Sequence, residues 1–126
     1  VDKLVKGEKP IIYGDGEQTR DFVYVEDVAE ANVAALTRGD NEILNISTGQ
    51  PTSVNELLCL LNELNGTEIE PIYNPERPGD IRHSYLKNEK ARQMLGWQPK
   101  VPLREGLAKT LNYYRNQFLQ TQNHLF

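Results

Sequence analysis

Ile11-Ile12-Tyr13-Gly14-Asp15-Gly16-Glu17-Gln18-Thr19-Arg20-Asp21-Phe22-Val23-Tyr24-Val25-Glu26-Asp27-Val28 holds two short apolar runs around a polar loop. Ile11–Tyr13 and Phe22–Val25 are β-branched or aromatic at nearly every position, which predicts two strands. Gly14 and Gly16 supply turn conformations closed to other residues. Arg20 stands where the polar loop re-enters apolar sequence. A guanidinium held there suits bidentate contact with a phosphate, although spacing alone favours a surface ion pair with Asp21 or Glu17.

Outward from this stretch the pattern turns helical. Asp27 reads as an N-cap with Glu30 three residues on, a variant of the capping box. Val28, Ala31 and Ala35 give a small-residue apolar face, and Gly39 ends the helix. Ile43–Ser47 reads as a short buried strand. Ser53 and Glu56 form a second capping box, Val54, Leu57, Leu58, Leu61 and Leu64 share one face, and Gly66 closes that helix. Residues 68–73 read as extended, with Pro71 favouring an edge. Asn74–Arg82 is a polar loop. A short helix is expected over residues 88–95, stopped by Gly96. Pro102 opens a last helix with Leu103, Leu107, Leu111, Tyr114 and Phe118 on one stripe, fraying after Gln120. Strands and helices alternate without a full set of βαβ units, so the expected fold class is α+β, with residues 1–126 as one domain.

Composition narrows the function. The chain has 126 residues and begins at Val1, which suits one domain or a piece of one. Its formal net charge of −4 argues against nucleic acid, but leaves room for a small anionic ligand that feels only its local site. No apolar run approaches the roughly 20 residues that span a bilayer, and no membrane partner is expected. The single cysteine, Cys59, sits among leucines and reads as a core residue. With no intrachain disulfide possible, a reduced, cytoplasmic setting is expected. Two histidines and one cysteine, far apart, give no metal-ligand spacing.

No ready-made catalytic set is present either. The glycines lie at 7, 14, 16, 39, 49, 66, 79, 96 and 106, and no trio has the spacing of a dinucleotide-binding turn. None of the six tyrosines has a lysine four residues on. No Ser/His/acid or Cys/His grouping can be drawn. A second binding constellation is Glu76-Arg77-Pro78-Gly79-Asp80, where Pro78-Gly79 fix a turn able to present Arg77 and Asp80 on one side. Arg77 could hold a phosphate and Asp80 accept ribose hydroxyls; an ordinary surface turn with an internal ion pair is the competing reading. His83 reads as a solvated loop histidine and Trp97 as packing.

Taken together, Gly-Asp-Gly-x-Gln-x-Arg-Asp-Phe-Val-Tyr-Val-x-Asp-Val resembles the C-terminal half of extended short-chain dehydrogenase/reductases. The nearest group is the NAD-dependent sugar-nucleotide epimerase/dehydratase family, UDP-glucose 4-epimerase-like members above all. Asn45-Ile46-Ser47-Thr48-Gly49, Ser53-Val54-Asn55-Glu56-Leu57, Arg77-Pro78-Gly79-Asp80, and Lys90-Ala91 with Leu95-Gly96-Trp97-Gln98-Pro99 follow in the family's order. The resemblance implies that Arg20 and Arg77 bind the diphosphate of a UDP-sugar, Asp80 the ribose, Tyr13 the base by stacking, and Ile11 the base through its backbone. It also implies a parent enzyme in which NAD removes a hydride from the sugar, the keto intermediate turns, and hydride returns to the other face. The NAD-binding glycines and the Tyr-x-x-x-Lys pair of the family's N-terminal half are not in this chain. The expectation is therefore a C-terminal substrate-binding portion, inactive alone, whose partner is the missing half in a homodimeric parent. Ile43–Ser47 could belong to that half's sheet, and exposed apolar surface is expected where it docks. A dehydratase or reductase on the same scaffold, or a non-catalytic nucleotide-binding module, remain alternatives.

Overall fold

The structure is a computed structural model that describes residues 1–39, 41–79, 82–84 and 86–124, with side chains described through Thr121. The described elements run α1 (Asp2–Val5), β1 (Ile11–Tyr13), β2 (Thr19–Arg20), α2 (Val25–Ala35), β3 (Thr52–Ser53), α3 (Val54–Asn65), β4 (Ile72–Asn74), α4 (Glu89–Leu95) and α5 (Leu103–His124). Helices dominate, and the strands form two separate pairs: β1 with β4 in parallel, β2 with β3 antiparallel.

Two apolar clusters hold these elements. Leu4 of α1, Leu61 of α3, and Leu107 and Leu111 of α5 are buried together, with Leu57, Leu58, Leu64 and Leu103 packed around them. The leucine stripes expected on α3 and α5 are thus the faces that meet. The second cluster joins Ala31 of α2 to Ala91 and Leu95 of α4 and to Trp97; the alanines let the two helices approach closely. Ser53 caps α3 by accepting the Glu56 N–H at 3.1 Å, and Gly66 ends it in the left-handed conformation at φ 71°.

Several local expectations change. The second apolar run, Phe22–Val25, forms no strand: β2 is Thr19–Arg20 in the polar loop before it, and α2 starts at Val25 with Tyr24 as N-cap. Asp27 is therefore inside the first turn, not the cap. Its backbone carbonyl accepts the Trp97 indole N–H at 2.8 Å, and its carboxylate, 2% exposed, accepts the Val101 N–H at 3.1 Å. Ile43–Ser47 forms no strand, and Ile43 is 90% exposed. Of the extended stretch 68–73 only Ile72 and Tyr73 pair, and the strand runs one residue further, to Asn74. Cys59 lies on the exposed side of α3, opposite the packed leucines. The last helix continues through His124.

Candidate functional site

The site is built on β1. Its register with β4 sets Ile11 beside Ile72, Ile12 beside Tyr73 and Tyr13 beside Asn74. The Ile72 N–H donates to the Pro10 carbonyl and the Gly14 N–H to the Asn74 carbonyl, both at 2.8 Å. The two-residue alternation of a parallel ladder then directs the backbone of Ile12 toward β4, and that of Ile11 and Tyr13 toward the opposite edge. The Tyr13 carbonyl there accepts the Gln18 Nε2 at 3.0 Å. Ile12 is the buried side chain, while Ile11 and Tyr13 share the more open face.

Arg77 closes over that face. Its guanidinium carbon lies 3.8 Å from the centroid of the Tyr13 ring, a cation–π stack. The structure thus brings together Tyr13, Ile11 and Arg77, three of the residues singled out above. Tyr13 is neither a core residue nor a bare surface ring.

Between β1 and β2 the loop is pinned from outside. The Arg82 guanidinium meets the Asp15 carboxylate in a two-pronged pair at 2.9 and 3.3 Å. This hydrogen bond, helped by the Glu17 N–H, holds the Asp15 carboxyl below its usual 3.8, and Asp15 raises Arg82 in turn. Asn55, at the start of α3, donates through Nδ2 to the Asp15 carbonyl at 3.0 Å and to Glu17 Oε1 at 2.7 Å. Gly16, at φ 79°, packs so closely on the Asn55 amide that a Cβ would overlap it.

Arg20 sits on β2 beside Thr52, and its guanidinium donates to the Thr19 carbonyl at 2.6 Å. Asp21 and Glu17, its expected surface partners, are engaged elsewhere. Asp21 accepts the Thr48 and Gly49 N–H groups and the Thr48 hydroxyl at 2.7–2.9 Å, while Glu17 accepts Asn55. Among the described residues no ion pair joins Arg20 or Arg77 to a carboxylate. Next to Arg20, Thr19 bridges His83, with the Thr19 N–H donating to the Arg82 carbonyl at 2.7 Å, but no hydrogen bond or ion pair among the described residues joins Arg20 to Arg77 or Tyr13. His83 shares a 3.1 Å hydrogen bond with the Thr19 hydroxyl and is exposed. Asp80 lies outside the described residues.

Every described helix carries an acid in its first turn: Asp2, Glu26 and Asp27, Glu56, Glu89, and Glu105. These carboxylates already complement the positive end of each dipole.

The sequence profile of the GDP-mannose 4,6 dehydratase family matches residues 1–110. The chain belongs to this family. A solved UDP-glucose 4-epimerase from Thermotoga maritima with UDP-glucose is 50% identical. It superposes with a TM-score of 0.90, covering 93% of this chain and 38% of the other. A Thermus thermophilus UDP-glucose 4-epimerase complex with NAD is 36% identical at TM-score 0.84, over 90% of this chain and 38% of its own. The dTDP-D-glucose 4,6-dehydratase of Mus musculus is 40% identical over 128 residues, 95% of this chain and 36% of that protein. The chain spans about 37% of the length of the curated relatives it matches.

Asn55, Tyr73 and Arg82 frame the site but were not singled out from sequence. Asn55 stands inside a helix-start motif, where capping already accounts for its neighbours. Arg82 has its partner 67 positions away, a spacing with no local pattern.

Proposed function

We propose that this chain is the substrate-binding portion of a NAD-dependent UDP-sugar 4-epimerase. The single observation that carries the reading is the Arg77–Tyr13 stack on the open edge of β1. An aromatic face takes a base at roughly 1–3 kcal/mol. The Ile11 backbone offers one N–H and one C=O on the same edge, matching the donor and acceptor edge of uracil. Arg77 supplies the charge for a diphosphate. Arg77 now lies against the ring that the base would use. Binding would exchange a cation–π contact, worth about 0.5–1 kcal/mol at an exposed site, for a charge-assisted bond worth about 1.5–3 kcal/mol. Arg20 would hold the same diphosphate and Asp80 the ribose.

NAD would supply hydride removal and return at the sugar. Since the glycine spacing of a dinucleotide-binding turn is not in this sequence, the dinucleotide would be held by the remaining part of the parent enzyme, in the cytoplasm and in a homodimer. This chain's part is to grip the nucleotide so that its binding energy orients the sugar. It would bind UDP weakly alone, because the ligand would lie between two parts.

Calorimetric titration of UDP against the chain and its Arg77→Ala variant tests this. A net loss of roughly two- to seventyfold in affinity is expected, the charge-assisted bond less the cation–π contact it replaces; equal binding by both removes Arg77 from the site. The dehydratase likeness supports a second reading, in which dTDP binds better than UDP in the same titration.

A further inference from the structure

We infer that Asn55 is a positioning residue for the Tyr13–Arg77 pair, through one side chain that ties both halves of the pair together. The inference builds on the proposed nucleotide site, but it makes a claim about the free protein as well.

The connections run in two directions. Toward Tyr13, Asn55 grips the loop that immediately follows the ring: its N–H donates to the Gly16 carbonyl at 2.9 Å, and Nδ2 donates to the Asp15 carbonyl and Glu17 carboxylate. Toward Arg77, its Oδ1 accepts the Tyr73 hydroxyl at 2.9 Å. Tyr73 lies on β4, opposite Ile12, and Arg77 follows β4 by three residues. The amide thus spends its acceptor on one strand and its donors on the loop leaving the other. A carboxylate cannot do this, since it has no donors, and an alanine can do neither.

Gly16 supports the same assignment. It is buried, with its α-carbon against the Asn55 amide and no room for a Cβ. The loop is shaped to this amide and not merely near it.

The test compares Asn55→Ala, Asn55→Asp, Tyr73→Phe and, as a control, Gly66→Ala, which weakens the far end of α3 and touches no site residue. Two quantities are read. One is the ring-current displacement of the Arg77 side-chain NMR resonances in the free chain, which reports the stack directly. The other is UDP affinity. Asn55→Ala should abolish most of the displacement and weaken UDP about tenfold, the scale of one or two lost hydrogen bonds. Asn55→Asp keeps the acceptor for Tyr73 but sets a carboxylate against the Glu17 carboxylate and the Asp15 carbonyl, so it should lose at least as much as Asn55→Ala. Tyr73→Phe should cost about threefold. Gly66→Ala should lower stability and leave both quantities alone. If Asn55→Ala does not fold, Tyr73→Phe and Asn55→Asp decide. An unchanged Arg77 displacement in the Asn55 variants, or the same losses in Gly66→Ala, overturns the inference. If wild type fails to bind UDP while the displacement still responds to Asn55, the positioning role stands and the nucleotide reading fails.

Discussion

Single residues in this chain are assigned by their partners, and partners are what local sequence shows least. Arg20 and Arg77 were each open to an ordinary ion pair. The structure removes that option for Arg20 by engaging Asp21 and Glu17 with backbone and amide donors, and it lays Arg77 on an aromatic ring. The pair that does form a salt bridge, Arg82 with Asp15, joins residues 67 apart and escapes any spacing rule. It also makes a pH prediction. Asp15 is held below its ordinary 3.8 chiefly by the Arg82 hydrogen bond, then by the Glu17 N–H. A depressed carboxyl favours the folded loop above that ordinary value, and the contribution is lost as pH falls through the folded value. The Asp15 carboxyl resonance should therefore titrate with a midpoint below 3.8, and Arg82→Gln should bring it up toward that value. A midpoint unchanged by Arg82→Gln would show that the pair does not hold the loop.

Elements with strong local signals were legible. The Ser53 cap, the leucine stripe of α3 and the Gly66 stop are all read from neighbouring positions, and all appear as expected. Elements whose existence depends on a distant partner were not. Phe22–Val25 and Ile43–Ser47 have strand composition, but composition reports only that a segment suits a half-buried surface. Whether it pairs is decided by a neighbour elsewhere in the chain, and α2 takes Val25 for itself. Asp27 is the instructive miss. Its type and place suggested a cap, yet it acts one turn later as the tie between α2 and the segment from Trp97 to Val101. Asp27→Ala should leave the Val101 N–H unpaired and cost about 1–3 kcal/mol. Asp27→Asn, which retains an acceptor, should cost less. Thermal unfolding followed by the emission of Trp97, the single tryptophan, checks this; equal midpoints for wild type and Asp27→Ala would remove the tie.

At the scale of the molecule, the described residues bury two small clusters and leave one helix face bare. Val25 and Val33 on α2 and Leu36 at its C-cap are 70%, 67% and 82% exposed, and Ile43 beyond them is 90% exposed. The opposite face of the same helix carries Ala31 into the second cluster. A helix that is apolar on both sides exceeds what one packed layer requires. The leucine stripes were legible as faces because periodicity marks them. The second face of α2 was not, because periodicity records that a residue is apolar and not which of two neighbours will cover it. If the chain's own fold makes no use of this face, charging it should leave stability intact. Val33→Glu with Leu36→Glu should move the unfolding free energy by no more than about 0.5 kcal/mol per site, as at other exposed positions, while lowering the binding of an apolar dye such as ANS. A loss of several kcal/mol would instead place these side chains inside the chain's own core, and the bare face would have to be withdrawn.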